Sequence, residues 1–548
     1  MGETRNVTRR TLLGGVAAAG AASLVRPAVS LAGTLGDRRS PSASWIGSLS
    51  GESAPILAPE RFVLVGIEWT RPSDARIELR AQAPGGRWSP WVIASALGHD
   101  PDSPGRRSAL FGEPVWTDTA ERVQLRSDRA VHGVRVHFVS AAAIPAAHAA
   151  SGLPLALPVL DAGPGQPAII ARRAWAAGQA QPVHSPEYGT VKLAFVHHTV
   201  NPNGYSAAAV PSMLLAIFDY HVQVRGFWDI AYNFMIDAYG RIWEARAGGI
   251  DMAVIGAHAG AYNAQSTGVA VLGDFMNVVP SPAAIAALQQ LLAWKLSLHG
   301  LPSQGRVTVV VDPASAFYTP FPPGAHVSLP RVAGHRDGDS TDCPGNAFYD
   351  QLPSIRPRIG SLAGTPAQLT ARAPSTATAG TMATVTGKLR LLSGTPLAGA
   401  PIELQRLGAV GPETAAVATA TSGPDGTWSA SLPLVHNATL RALHRPHPAA
   451  VADWIQVGVA PAITLALEST APLQVSGTIS PSKRQVTIDV YRPGAKRPLS
   501  HRRVPAANGR FTATISVPSA GNYVLIARSQ ALGGNAPGAS TPLSVTVP

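Results

Sequence analysis

The one cysteine of this 548-residue chain, Cys343, lies in the segment G-H-R-D-G-D-S-T-D-C-P-G (334–345), eight residues after His335. Gly338 and Pro344-Gly345 give that segment the turns needed to fold both side chains onto one point. Imidazole and thiolate are the ligands zinc favours, and three protein ligands plus a water make a catalytic rather than a structural site. A third ligand must come from elsewhere, and the His197-His198 pair in F-V-H-H-T (195–199) is the obvious donor. On a strand, successive side chains point to opposite faces, so one of the two reaches the metal, and parity alone leaves open which. No H-E-x-x-H occurs, which removes the helical zinc protease pattern. A single cysteine also excludes any intrachain disulfide and any lipid anchor on the N-terminal segment.

Two further segments gather unusual polar residues: G-F-W-D-I-A-Y-N-F-M-I-D (226–237) and G-A-H-A-G-A-Y-N (256–263). The elements around them alternate in type. Strands are predicted at 191–198, 232–237 and 267–272, with helices at 207–224 and 282–299, the second with Pro282 in its first turn. Such alternation over 168–360 argues for an α/β layer domain.

The flanks read differently. From Phe62 to Ser140 apolar residues alternate with polar ones, as in Ile77, Leu79 and Ala81 against Arg76, Glu78 and Arg80, which predicts an N-terminal β-sandwich over 40–140. Trp69, Trp88, Trp91 and Trp116 sit within or beside these strands and are expected to pack the core. An Ala/Pro/Gly-rich linker follows at 141–167. Beyond Gly364 helical spacing disappears, and two further sandwiches of immunoglobulin-like character are expected at 365–460 and 461–548. The fold class is therefore multidomain, a central α/β domain with mixed sheet and flanking helices between β-sandwich modules. None of these three β modules holds a His/Cys cluster or a carboxylate pair in a catalytic context, so they are expected to attach and position rather than do chemistry.

Residues 1–32 have a basic start with Arg9-Arg10, a mild apolar core (14–25) and small residues at Ser30 and Ala32, the pattern of a twin-arginine export signal. The apolar core falls short of the roughly 20 residues a spanning helix needs, so no membrane span is expected after cleavage. The formal net charge is +12; losing residues 1–32 removes four arginines and one glutamate and leaves +9. That balance favours an anionic polymer as partner. Without a dense basic run interleaved with aromatics, nucleic acid is not expected.

Taken together and in order, the four polar segments resemble the peptidoglycan recognition protein and zinc-dependent N-acetylmuramoyl-L-alanine amidase superfamily over about 167–360. R-R-A-W at Arg172–Trp175 and E-A-R at Glu244–Arg246 match it too. The resemblance implies zinc held by His197, His335 and Cys343, with Tyr232 and Thr341 as catalytic side chains. It implies Trp228, Asp229, Arg246, His258, Asn263 and His198 as contacts to a muropeptide of peptidoglycan. The implied reaction cuts the amide between the muramic acid lactyl group and L-Ala; with the export pattern and the positive charge, a secreted, cell-wall-associated enzyme that also meets anionic wall polymers is expected. Ala231 stands where relatives usually have Gly, and the long segment 301–330 is expected to reshape one groove wall. The rival readings are a non-catalytic peptidoglycan-binding protein and a zinc peptidase acting within the stem peptide.

Overall fold

A seven-stranded mixed sheet runs in the order Val332–Gly334, Leu193–His198, Ser266–Val271, Phe234–Ile236, Ile242–Glu244, Ile169–Ile170, Val159–Leu160. The structure, a computed structural model, describes residues 41–548 apart from 73, 96–108, 141–158, 161–164, 177, 409–410, 413–415 and 532–533. The expected export signal at 1–32 and most of the expected linker lie outside the described residues. Two residues assigned to that linker, Val159 and Leu160, instead pair with Ile169–Ile170 at the sheet edge.

The three strands Val332–Gly334, Leu193–His198 and Ser266–Val271 pair in parallel, and Ser266–Val271 pairs in parallel with Phe234–Ile236. Parallel strands are buried on both faces, and all six residues of Leu193–His198 are. Ala194, Val196, Phe234, Ile236, Val269 and Val271 share one apolar cluster with the helix Pro282–Leu298. That helix starts on Ser281, whose hydroxyl accepts the Ala284 N–H at 3.1 Å. On the opposite face Met235, Trp243 and Ala270 pack with the helix Val210–Asp219, which continues as a π-turn through Val224. The predicted elements are thus present with ends moved by one to three residues.

The N-terminal strands form a six-stranded sheet in which Ile56–Trp69 is flanked by both limbs of the 26-residue strand Val115–Ser140. Val65 lies opposite Val115 on one limb and Phe138 on the other. Trp69 and Trp116 are buried as expected; Trp88 and Trp91 are half-exposed instead, with the Arg80 guanidinium 5.0 and 4.5 Å from their ring centres. A solvated arginine on an aromatic face exchanges core burial for a cation–π contact.

Beyond Gly364 each of two β units pairs a small sheet with a larger one around its own core, the first on Val385, Leu404 and Trp428, the second on Ile488, Phe511 and Leu525. The first docks on the central domain: Leu443, Ala449 and Val451 join the cluster of the helix Pro282–Leu298. Arg441, 2% exposed, donates to Asp251 Oδ2 at 2.6 Å. Beside that pair, Lys295 is wholly buried and donates to the Ile250 and Met252 carbonyls at 2.8 and 2.7 Å.

Burial lowers the Lys295 amine from 10.5 to about 7. Below pH 7 the amine is charged in the folded and unfolded chain alike, and the burial penalty is carried in full. Between pH 7 and 10.5 the unfolded chain binds more protons, so stability rises with pH, by at most about 1.4 kcal/mol per unit. Lys295→Met should flatten the rise in thermal midpoint between pH 7 and 9.5; an unchanged slope would show that this amine does not titrate there.

Candidate metal centre

His197, His335 and Cys343 converge, one ligating atom from each lying within 4.8 Å of the others, and all three are buried. The sheet brings this about. Val332 lies opposite Ala194 and Gly334 opposite Val196, so the next residues along two parallel strands, His335 and His197, end side by side with ring centres 4.4 Å apart. His197 shares its strand face with Leu193 and Phe195, which fixes the parity that the sequence left open.

A turn then returns Cys343. Its carbonyl accepts the Arg336 N–H at 2.9 Å, and Arg336 also donates to Asn346 Oδ1 and to the Asp342 carbonyl. Asp337 accepts the Gly334 N–H at 2.9 Å and the Tyr349 hydroxyl at 2.6 Å. Gly345, with φ of 92°, lies so close to the Phe275 carbonyl that a Cβ there would come within 2.4 Å of it. Thiol Sγ ends 3.7 Å from His197 Nδ1, and the His198 N–H points to Sγ at 3.4 Å.

Each imidazole has a partner on its far side. His335 Nε2 meets Asp339 Oδ2 at 3.0 Å, which leaves Nδ1 as the ligating nitrogen, and His197 Nε2 lies 3.2 Å from His258 Nδ1. The His258 ring is so tightly held that a Cβ on Gly256 or Gly268 would sit 2.4 Å from it. Such outer partners fix ring orientation and tautomer at zinc sites. Two buried imidazoles, one buried thiol and this support fit a zinc ion as the donor set predicts. Burial pushes the Cys343 thiol well above its usual range, so metal uptake at neutral pH must release its proton.

The other expected site residues divide. His258 is fully buried behind His197, so its place is support and not substrate contact. Asp229 is also spent internally: it pairs with Arg172 at 2.7 Å and accepts the Ile230 and Ala247 N–H groups, with 3% exposure. Trp228, Arg246 and Asn263 line one cavity of about 180 Å³ with Asp312 and Ser315 of the 301–330 segment. That segment forms the hairpin Arg306–Val310 with His326–Pro330. His198 and Thr341 line a second cavity of about 330 Å³, whose other wall is Asp74, Ala75, Arg76 and Ser95 of the N-terminal sheet. Thr341 Oγ1 accepts the Cys343 N–H at 3.2 Å.

Tyr232 is 1% exposed, with its ring centre 5.3 Å from that of His197. Its hydroxyl donates to Glu113 Oε2 at 3.3 Å, and burial, with the Glu113 charge, pushes it well above the usual phenol range. Glu113 belongs to the N-terminal β module, which therefore reaches the hydroxyl of Tyr232. Sequence reasoning missed it because a lone Glu in a Gly-Glu-Pro turn has no chemical spacing. Asp339 carried a readable signal, a carboxylate four residues after a ligand candidate.

Cys343→Ala should abolish stoichiometric zinc uptake while leaving the circular dichroism spectrum unchanged; full zinc occupancy in that variant would remove the thiol from the ligand set. His258→Ala should keep the ligands yet weaken zinc binding roughly 10–100-fold. Competition with a fluorescent chelator reads both.

A family model described as N-acetylmuramoyl-L-alanine amidase matches residues 187–346, and one described as Rv3811 N-terminal galactose-binding domain-like matches 37–152. Peptidoglycan-recognition protein 1 of Holotrichia diomphalia is 32% identical over 135 residues, 25% of this chain and 66% of that protein. This chain thus spans just under two thirds of that relative's length. Peptidoglycan-recognition protein SC2 of Drosophila melanogaster is 28% identical over 184 residues, 34% of this chain and 84% of that protein. A solved structure of wild-type Drosophila PGRP-LB is 26% identical and covers 34% of this chain and 92% of its own, with a TM-score of 0.26. The central domain of this chain belongs to the superfamily of peptidoglycan recognition proteins and N-acetylmuramoyl-L-alanine amidases.

Proposed function

We propose that this chain is an exported, zinc-dependent peptidoglycan amidase that cuts the bond between the lactyl group of N-acetylmuramic acid and L-Ala of the stem peptide. The observation that carries the reading is the buried convergence of His197, His335 and Cys343 inside a domain matched as an amidase. A protein that only bound the wall would have no need of a buried thiol beside two oriented imidazoles.

When bound, zinc supplies Lewis acidity at this position and acidifies water toward neutrality. The chain's own residues do the rest. His197, His335 and Cys343 hold the ion; Asp339 and His258 fix the two rings. Water adds to the lactyl carbonyl carbon, the C–N bond breaks, and the L-Ala amine leaves with a proton. Thr341 Oγ1 accepts from the Cys343 N–H, so its own O–H is left to meet the carbonyl oxygen as charge develops there. One such donor is typically worth about 3–4 kcal/mol in the transition state. Trp228, Arg246 and Asn263 present a flat aromatic face, a guanidinium and an amide to glycan and peptide in their shared cavity.

The export reading rests on the twin-arginine pattern of 1–32, and among the described residues no helix is long and apolar enough to cross a membrane. The +9 charge of residues 33–548 favours phosphate- and carboxylate-bearing wall polymers. The two β units beyond Gly364 are read as immunoglobulin-like attachment modules.

Mass spectrometry of purified peptidoglycan after digestion should find new L-Ala amino termini, lost when zinc is chelated and restored when it is returned. New termini within the stem peptide would mark a peptidase, and unchanged walls a binding protein. Sedimentation with intact walls should weaken steeply between low and high salt, because exposed charges are screened beyond about 8 Å at physiological ionic strength. Turnover of a small uncharged muropeptide amide should hold nearly constant over the same series. Salt-independent sedimentation would assign wall binding to short-range contacts.

A further inference from the structure

We propose that the catalytic cleft is shared between two modules, with Glu113 of the N-terminal β module acting as the positioning residue for Tyr232. The inference deepens the amidase reading and rests on it for its catalytic consequence.

The loop that carries Glu113 is held from both sides. Gly112 donates its N–H to the Ile67 carbonyl at 3.0 Å, and the chain passes so near the Ala94 carbonyl that no Cβ fits at this position. From the central domain, the Tyr220 hydroxyl donates to the Gly112 carbonyl at 3.2 Å. The Arg225 guanidinium lies 5.2 Å from the Phe111 ring centre. Between these anchors Glu113 is 5% exposed, with Oε2 3.3 Å from the Tyr232 hydroxyl.

The contact between the modules is built like a core. Val63, Leu64, Trp116 and Val139 of the N-terminal sheet belong to the same buried cluster as Met213 and Phe218 of the central helix. Tyr220 lies against Gly66 so closely that a Cβ there would come within 2.2 Å of its ring. Inter-module surfaces that are large and apolar do not slide as polar ones do. Glu113 is therefore held in a fixed place against Tyr232. The second cavity carries the same signature, with Arg76 and Ser95 from one module facing His198 and Thr341 from the other.

The chemical consequence follows from the inventory of a phenol, which has one hydrogen to give and lone pairs to receive. Glu113, as a carboxylate, takes that hydrogen. Tyr232 is then left to the cleft as an acceptor and can hold an attacking water, while Thr341 remains as the donor for the developing oxyanion. Two hydroxyls with interchangeable roles in the sequence are thereby assigned different ones. A carboxylate at 113 sets that polarity, which a neutral residue does not.

Full-length chain labelled with 13Cζ-tyrosine has ten such resonances, and Tyr232→Phe assigns the one concerned. In the metal-free protein, Glu113→Gln should shift the Tyr232 resonance and leave the others in place. With zinc loaded, the same isosteric variant should keep its zinc content and its KM for a soluble muropeptide within about threefold, while kcat falls roughly 10²-fold, the size expected when a reacting group loses its orientation. Glu113→Asp should recover part of kcat, and formate should partly rescue Glu113→Ala. An unmoved Tyr232 resonance overturns the proposal, and so does a shifted resonance with kcat unchanged. If the wild-type chain cleaves nothing, the amidase reading fails, and the metal-free spectra still decide whether Glu113 holds this hydroxyl. If Glu113→Ala does not fold, Glu113→Gln carries the test.

Discussion

The candidate centre depends on one register, the parallel pairing of Val332–Gly334 with Leu193–His198. Because Gly334 faces Val196, His335 follows the end of its strand at the level of His197, which is still paired in the sheet. A slip of one residue would reverse every side chain of the strand and put His198 where His197 stands. What forbids the slip is apolar packing on two different partners. Leu193 and Phe195 fill the cluster under the hairpin of residues 306–330, and Ala194 and Val196 fill the cluster under the helix Pro282–Leu298. Burying one such side chain is worth about 1.5–3 kcal/mol, so several acting together outweigh any preference of the histidines themselves. Which of the two histidines faces His335 and Cys343 is thus set by apolar packing along the whole strand.

Polar groups this deep need partners, since an unpaired one costs about 1–3 kcal/mol. The structure answers with a second layer: Asp339 on His335, His258 on His197, and Asn263 Oδ1 accepting the His258 and Ala259 N–H groups at 2.9 and 3.0 Å. The motifs that made the family legible serve this layer as often as they serve the substrate. Arg172 ties Glu244, Asp229 and the Ala245 carbonyl into one knot, and Asn233 bridges Gly268 N–H and the Val254 carbonyl beside Tyr232. Conspicuous polar residues in a motif are, in this domain, frequently the scaffold of the site.

That division explains what could be read from the sequence. Periodicity located the strands and helices of the central domain because their buried faces are continuous apolar runs. Cys343 and His335 were legible as candidates because the thiol has no disulfide partner and the histidine stands at loop distance from it, whereas the choice of His197 over His198 came only with the family resemblance. Asp229 and His258 could not be sorted from the residues that line the two cavities, since a one-dimensional motif does not say which side of the His197 ring a residue occupies. Trp88 and Trp91 were misplaced for a related reason: alternation marks a face without saying whether an arginine will cover it.

Glu113 shows the deeper limit, and also a signal that was present. The central helix reads V-P-S-M-L-L-A-I-F-D, with no polar stripe, and nine of its ten residues are buried. A helix on the outer face of a sheet keeps one wet side; one that is apolar all round must be covered by something more. In this chain the cover is the N-terminal β module, and the surface that satisfies the helix is continuous with the loop that reaches Tyr232. Apolar coverage therefore fixes where the module sits, and only from that placement does a carboxylate in an unremarkable turn gain a role. The helix predicts that a partner exists, while the identity of the side chain delivered to the cleft is set by three-dimensional fit alone.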